Sequence, residues 1–143
     1  MKSIVVDASV AIKWFIPEVH AISATRLLHT NLQFIAPDLI FAEVGNILWK
    51  KYRLKELTLD TASAILDDFK RLPFNSHENE SLLDAAWQIA TTYQCTVYDS
   101  LYVALAQTEG CLLVTADRAL YKALSTTSLA GLLLWVEDIK NIT

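Results

Sequence analysis

Asp7, Glu43, Asp99 and Asp117 are carboxylates spread over more than a hundred residues, each in a setting where a free acid is costly or oddly placed. Asp7 ends the apolar run Ile4-Val5-Val6, and Asp117 follows Leu112-Leu113-Val114. Both are therefore expected just past the carboxyl ends of short buried strands, where open parallel sheets bind ligands. Glu43 lies in a helical pattern over residues 38–52 whose neighbours three and four positions away are Leu39, Ile40, Asn46 and Ile47. No basic side chain is placed to pair with it along the helix. Burying an unpaired carboxylate costs several kcal/mol or forces it to take up a proton, and a bound cation is one of the few ways to keep it ionised. Asp99 stands at the start of Ser100-Leu101-Tyr102-Val103-Ala104-Leu105-Ala106, a helical stretch apolar nearly all round and hence central. Four oxygen donors with no accompanying His or Cys fit a hard cation, Mg²⁺ or Mn²⁺, better than zinc or copper.

Taken singly, three of the four have a purely structural use. Asp7 is a ready cap for a helix starting near Ser9, and Asp117 for one starting at Arg118. Thr96-Val97-Tyr98-Asp99 has the spacing of a capping box. Glu43 has no such use. Ser9, Asn46 and Thr115 are short polar groups beside the acids, suited to orienting a ligand or a water, although turn chemistry accounts for Ser9 equally well.

The coincidence of the motifs outweighs the single readings. Val6-Asp7-Ala8-Ser9, Glu43 with Asn46 one turn on, Tyr98-Asp99-Ser100-Leu101-Tyr102 with Ala104-Leu105-Ala106, and Val114-Thr115-Ala116-Asp117 resemble the motifs of PIN-domain ribonucleases, in order and at the expected spacing from residue 4 to about Trp135. Within that family the chain most resembles the VapC toxins of prokaryotic toxin–antitoxin pairs. The resemblance implies a three-layer α/β/α sandwich around a short, mainly parallel sheet. It implies a metal-dependent endoribonuclease, with Asp7, Glu43, Asp99 and Asp117 as the Mg²⁺ (or Mn²⁺) ligands and Thr115 fixing a ligand or water. It also implies an RNA substrate, a VapB-like antitoxin and a homodimer. Two rivals are weighed against it. Phosphatases with a nucleophilic Asp after their first strand need a second Asp two positions later, where this chain has Ser9. A catalytically inert PIN-like protein acting only through a partner is the second, and the complete acidic set argues against it.

The elements needed to position these residues are legible in the hydrophobic pattern. Apolar runs suited to strands occur at 4–6, 34–36, around Phe74, at 112–115 and at 132–136; helical periodicity occupies 9–15, 18–30, 38–52, 59–72, 81–93, 97–109 and a short segment after Arg118. Pro17 and Pro37 stand near helix starts and Gly110 follows a helix end. Strands alternating with helices specify an α/β fold with a mainly parallel sheet. Without repeats, low-complexity tracts or a linker, residues 1–143 are expected to form one domain.

Composition bounds the setting. The net charge of −4 arises from 16 acidic and 12 basic residues; without the four candidate ligands the two signs are equal in number. The acidic balance is therefore compatible with RNA once a cation is bound, although no global basic field is present. Lys50, Lys51, Arg53 and Lys55 gather at a helix end, where cations favour the dipole regardless of function, and are read first as a solvated face, with a phosphate contact as the alternative. Arg118, beside Asp117, is the better candidate for a phosphate contact. Cys95 and Cys111 lack metal-site or disulfide spacing and read as core thiols of a reducing compartment. His20, His29 and His77 have no ligand spacing. Neither a signal peptide nor a membrane span is legible, so a cytoplasmic location is expected. Hydrophobic residues make up 53% of the chain, and mean hydropathy is +0.31, high enough that part of the surface is expected to meet another chain; Trp14, Phe15 and Trp49 are read as core residues or as lining that groove.

Overall fold

The computed structural model describes residues 2–142. Five strands, β1 (Ser3–Val6), β2 (Gln33–Pro37), β3 (Asn75–His77), β4 (Leu113–Thr115) and β5 (Leu133–Trp135), form one sheet in the order β3-β2-β1-β4-β5, with every pairing parallel. The helices are α1 (Ala8–Ala11), α2 (Ala21–Thr25), α3 (Leu39–Arg53), α4 (Leu59–Lys70), α5 (Asn79–Tyr93), α6 (Val97–Glu109) and α7 (Arg118–Ser125). Nearly all residues of β1, β2 and β4 are buried irrespective of alternation. That is the pattern of strands covered on both faces.

The strand order locates a crevice. From β1 the chain moves outward through β2 to β3, then returns to the other side of β1 for β4 and β5. Parallel crossovers are almost always right-handed, so reversing direction moves the crossover helices to the opposite face of the sheet. The helices between β1 and β3 thus form one outer layer, and α5, α6 and α7 the other. Helix α6 lies against β1, β2 and β4, with α5 packed along it. Between β1 and β4 the connections leave in opposite directions, which opens a crevice beyond their carboxyl ends. One continuous core runs from Ile4 to Ile139, with Tyr102 and Phe69 its largest fully buried side chains.

The structure departs from the sequence pattern where local chemistry outweighs periodicity. Residues 9–15 divide into α1 and a 3₁₀ turn, Ile12–Trp14. Residues 18–30 begin as a turn instead of a helix: Ala21 N–H donates to Glu18 O, and His20 adopts a left-handed conformation (φ 67°) before α2, which gives way to the 3₁₀ turn Arg26–His29. Glu18 is held there by Lys13 (3.0 Å) and Lys51 (3.3 Å), a pairing that competes with continuing the helix. Phe74 itself precedes β3, whose Asn-Ser-His sequence carries no hydrophobic signal. A short polar edge strand is a common protection against edge-to-edge pairing. Helix α5 starts at Asn79, two residues before the expected start, where the Asn79 side chain accepts from the N–H of Leu39. A 3₁₀ segment, Val136–Ile142, follows β5.

Candidate active site

Asp7, Glu43, Asp99 and Asp117 come from four separate segments and line one cleft of about 240 Å³, together with Ala8, Ser9, Asn46, Ile47 and Lys50. It lies at the crevice between β1 and β4. A larger hollow of about 680 Å³ occupies the opposite ends of the strands, around Lys2, Ser3, Ile4 and Gly110, and gathers only one acid, Glu109. Size alone does not mark the chemistry.

Each acid is aimed by its local structure. Asp7 has extended backbone at the N-cap of α1 and its Oδ1 accepts from the N–H of Ser9 at 3.4 Å. Its Oδ2 accepts from the Thr115 hydroxyl at 2.7 Å and the Ser9 hydroxyl at 3.2 Å. Those hydroxyls in turn accept from the backbone of the loop after β4: Ala116 N–H donates to Ser9 Oγ and Asp117 N–H to Thr115 Oγ1, both at 3.0 Å. The end of β4 is thus tied to Asp7 through two hydroxyl relays. Asp117 caps α7, its Oδ1 accepting from Leu120 N–H at 3.1 Å. In the capping turn of α6 the Thr96 hydroxyl accepts from Asp99 N–H at 3.0 Å. Glu43, on α3, accepts at Oε1 from the Tyr102 hydroxyl of α6 at 2.6 Å. The capping reading therefore holds for Asp7 and Asp117, each of which caps a helix with one oxygen while also lining the cleft.

Burial and mutual repulsion make Asp7, Glu43 and Asp99 hard to ionise. Burial pushes the Asp7 carboxyl up to about 6 against the lowering effect of its hydroxyl and amide donors, and the charge of Glu43 adds to the rise. Asp99 is raised to about 6 by burial and then by the charges of Asp7 and Asp117. Glu43 is raised by burial, with the Tyr102 hydrogen bond opposing and Asp99 and Asp117 reinforcing. Tyr102, with 1% of its surface exposed, is pushed far above its ordinary range by burial and by Asp7 and Glu43, so its hydroxyl remains a donor.

The donor set fits a hard divalent cation. All four acids offer carboxylate oxygen, and the residues lining the cleft include no His or Cys. In Glu43 and Asp117 one oxygen is anchored by the protein, and in Asp7 the two strong donors share Oδ2. Ligating carboxylates are commonly held in this way by supporting hydrogen bonds. Among the described residues no three His, Cys, Asp or Glu side chains are drawn tightly enough together, as they stand, to hold an ion. The four share a cleft without closing on one point.

The structure adds detail to the sequence reading of several surrounding residues. Tyr102 has no role in the sequence reading, although it lies one turn from Asp99 and carries the polar tip in the otherwise apolar, buried stretch from Leu101 to Ala106. Lys50 is exposed, in line with the solvated reading, and also lines the cleft. Arg118, the better candidate for a phosphate contact in the sequence reading, is exposed, and its guanidinium lies over the Trp135 ring at 5.1 Å. Trp14 packs on Phe34 and Phe74 and donates to Ala24 O at 2.9 Å, while Phe15 packs on Phe69. Their remaining edges border a shallow groove with Ile16, Pro17 and Ile22, and Trp49 stays 51% exposed on α3.

Comparison with known proteins agrees with this geometry. The PIN domain family matches residues 4–124. Ribonuclease VapC3 of Pyrobaculum aerophilum is 37% identical over 121 residues, covering 82% of this chain and 91% of that protein. Ribonuclease VapC3 of Mycobacterium tuberculosis is 34% identical over 122 residues, covering 85% and 88%. The crystal structure of PAE2754 from Pyrobaculum aerophilum superposes with a TM-score of 0.73 at 27% identity, covering 99% of this chain and 89% of that one. With the family's acidic motifs gathered in one cleft at the switch point of its sheet, the chain belongs to the PIN-domain family and, within it, to the VapC-type ribonucleases.

Proposed function

We propose that this protein is a metal-dependent endoribonuclease that hydrolyses RNA phosphodiester bonds and acts as the toxin of a toxin–antitoxin pair. The observation that carries the reading is the meeting of four carboxylates from four segments in one solvent-open cleft, with burial making the charge of Asp7, Glu43 and Asp99 expensive unless a cation offsets it. Asp7, Glu43, Asp99 and Asp117 would hold Mg²⁺ or Mn²⁺. Bound there, the ion supplies a polarised phosphoryl oxygen and a water acidic enough to attack at neutral pH.

The chain's own residues do the positioning. Thr115 and Ser9 hold Asp7 Oδ2 and leave its other oxygen facing a single long contact. Tyr102 fixes Glu43 without competing for its charge, because its own proton stays in place. The cleft's lining offers no Ser-His or Cys-His pair, so a covalent enzyme intermediate is disfavoured. Exposed aromatic side chains on α3 and α5, Trp49, Tyr52 and Trp87, are surfaces of the kind that a VapB-like antitoxin or a second copy covers. Among the described residues no helix is long and apolar enough to cross a membrane, and the reading assigns the protein to the cytoplasm with its RNA.

The test is cleavage of cellular RNA by purified protein with Mg²⁺ or Mn²⁺, against the same reaction with chelator and against Asp99→Asn. Internal cleavage giving 5′-phosphate and 3′-hydroxyl ends, and its suppression by the product of the adjacent small open reading frame, are expected. Cyclic 2′,3′-phosphate ends would reject the mechanism, and a neighbouring product that neither binds nor inhibits would remove the toxin role.

A further inference from the structure

We infer that Lys50 binds the RNA phosphate next to the scissile one, acting as the cation that lets an anionic strand enter a cleft of carboxylates. The inference rests on the ribonuclease reading above. Helix α3 presents Glu43, Asn46, Ile47 and Lys50 to the cleft, the i, i+3, i+4, i+7 stripe of one helix face. Lys50 is thus seven residues beyond Glu43, roughly 10 Å along the axis at about 1.5 Å per residue. Its backbone is thus set back two turns from Glu43 while its side chain lines the same cleft, a placement suited to a phosphate beside the one at the acids.

The other basic residues at this helix end are committed or lie elsewhere. Lys51 pairs with Glu18, whose other partner is the buried Lys13. Arg53 covers the Trp49 ring at 5.0 Å. Lys55 is exposed in a left-handed turn after the helix and does not line the cleft. Lys50 is the only cation among the lining residues, and among the described ion pairs it takes part in none, although four carboxylates share its cleft. A chain of net charge −4 has no general field to hold a polyanion. The attraction must come from local cations, and this one is placed in the cleft itself.

The experiment is steady-state cleavage of a short fluorescein-labelled single-stranded RNA pool of random sequence at saturating Mg²⁺, over a salt series, by wild type, Lys50→Gln, Lys50→Arg and the charge-matched control Lys55→Gln. Loss of one contact-distance ion pair in a solvated cleft predicts KM raised about fivefold in Lys50→Gln with kcat little changed. The salt slope of log KM should fall by about 0.7, the value for one phosphate contact on a single strand. Lys50→Arg should restore both, and Lys55→Gln should match wild type. Equal KM and slope in Lys50→Gln and wild type would overturn the assignment while leaving the nuclease intact. A lower Mg²⁺ midpoint with KM unchanged would also overturn it, making Lys50 a counter-charge to the acids. A wild type that cleaves no RNA under any metal condition would remove the ribonuclease reading itself, and Lys50's role with it.

Discussion

Replacing Asp7 by Asn should make the metal-free protein more stable at neutral pH and nearly indifferent to Mg²⁺. The Asp7 carboxyl is raised from 3.8 to about 6 in the folded chain, chiefly by burial, so the folded state binds its proton more tightly than the unfolded state does. Stability from this group is therefore unimpaired below about pH 4, declines as pH rises through the interval, and is fully reduced above about pH 6. The size of the reduction follows from the rise from 3.8 to about 6: at about 1.36 kcal/mol per tenfold change in proton affinity it comes to about 3 kcal/mol at pH 7. An amide has no charge to desolvate, but it cannot accept on both sides. With its oxygen kept toward Thr115 and Ser9, its NH₂ faces the N–H of Ser9, a contact already long at 3.4 Å. That mismatch and the weaker acceptor cost about 1 kcal/mol. The net gain for apo Asp7→Asn is about 2 kcal/mol, or roughly 4–8 °C in a domain of this length.

The assay is thermal melting of wild type and Asp7→Asn in chelator from pH 4 to 8, then at neutral pH with Mg²⁺. Groups remote from the cleft titrate alike in both proteins, so the difference between the two curves reports Asp7 together with its charge coupling to Glu43 and Asp99. It should be small near pH 4, grow to a plateau above pH 6, and reverse once Mg²⁺ is added, because wild type gains about 2.7 kcal/mol at an ion concentration a hundredfold above its dissociation constant. A variant less stable than wild type in chelator at pH 7, or a difference that does not change with pH, would refute the reasoning that burial strains this carboxylate.

Asp99→Asn should stay folded, as judged by its circular dichroism and melt, yet lose cleavage by at least about 100-fold, the upper range for losing even a supporting partner of a metal ligand. Tyr102→Phe should lower Mg²⁺ affinity by about 10- to 100-fold, read by titrating cleavage or the melt against the ion, because Glu43 Oε1 loses its 2.6 Å donor inside a half-buried cleft; an unchanged midpoint would leave Tyr102 a packing residue only. Thr115→Val removes the donor to Asp7 and the acceptor for Asp117 N–H together, so it should cost about 1–3 kcal/mol in chemical denaturation. It should also move the acidic limb of the pH–rate profile upward, since the hydroxyl is the principal influence lowering the Asp7 carboxyl.

How far the sequence disclosed this site depends on whether a residue's role is local or depends on distant segments. Asp7 and Asp117 were legible because apolar runs place them at strand ends, and Glu43 because no cation stands three or four residues from it along its helix; each inference uses neighbours within a turn or a strand. The alternation of strands and helices fixed the parallel sheet for the same reason. Polar β3 and the broken segment after Pro17 were not legible, since one has no hydrophobic period and the other is decided by Lys51, more than thirty residues away. The same distinction separates Lys50 from Lys51. They are adjacent in sequence and identical in type, and only the fold, by giving Lys51 to Glu18 and turning Lys50 along the Glu43 stripe, assigns them different electrostatic work. Tyr102 shows the converse case. Its hydroxyl lies one turn from Asp99, so a buried polar tip in an apolar helix already demanded a partner; what sequence could not supply was that the partner is Glu43, brought across from α3. The two helices are thus coupled through the cleft, and Tyr102→Phe together with Asp99→Asn should cost less metal affinity than the sum of their separate losses, because both act on the same bound ion.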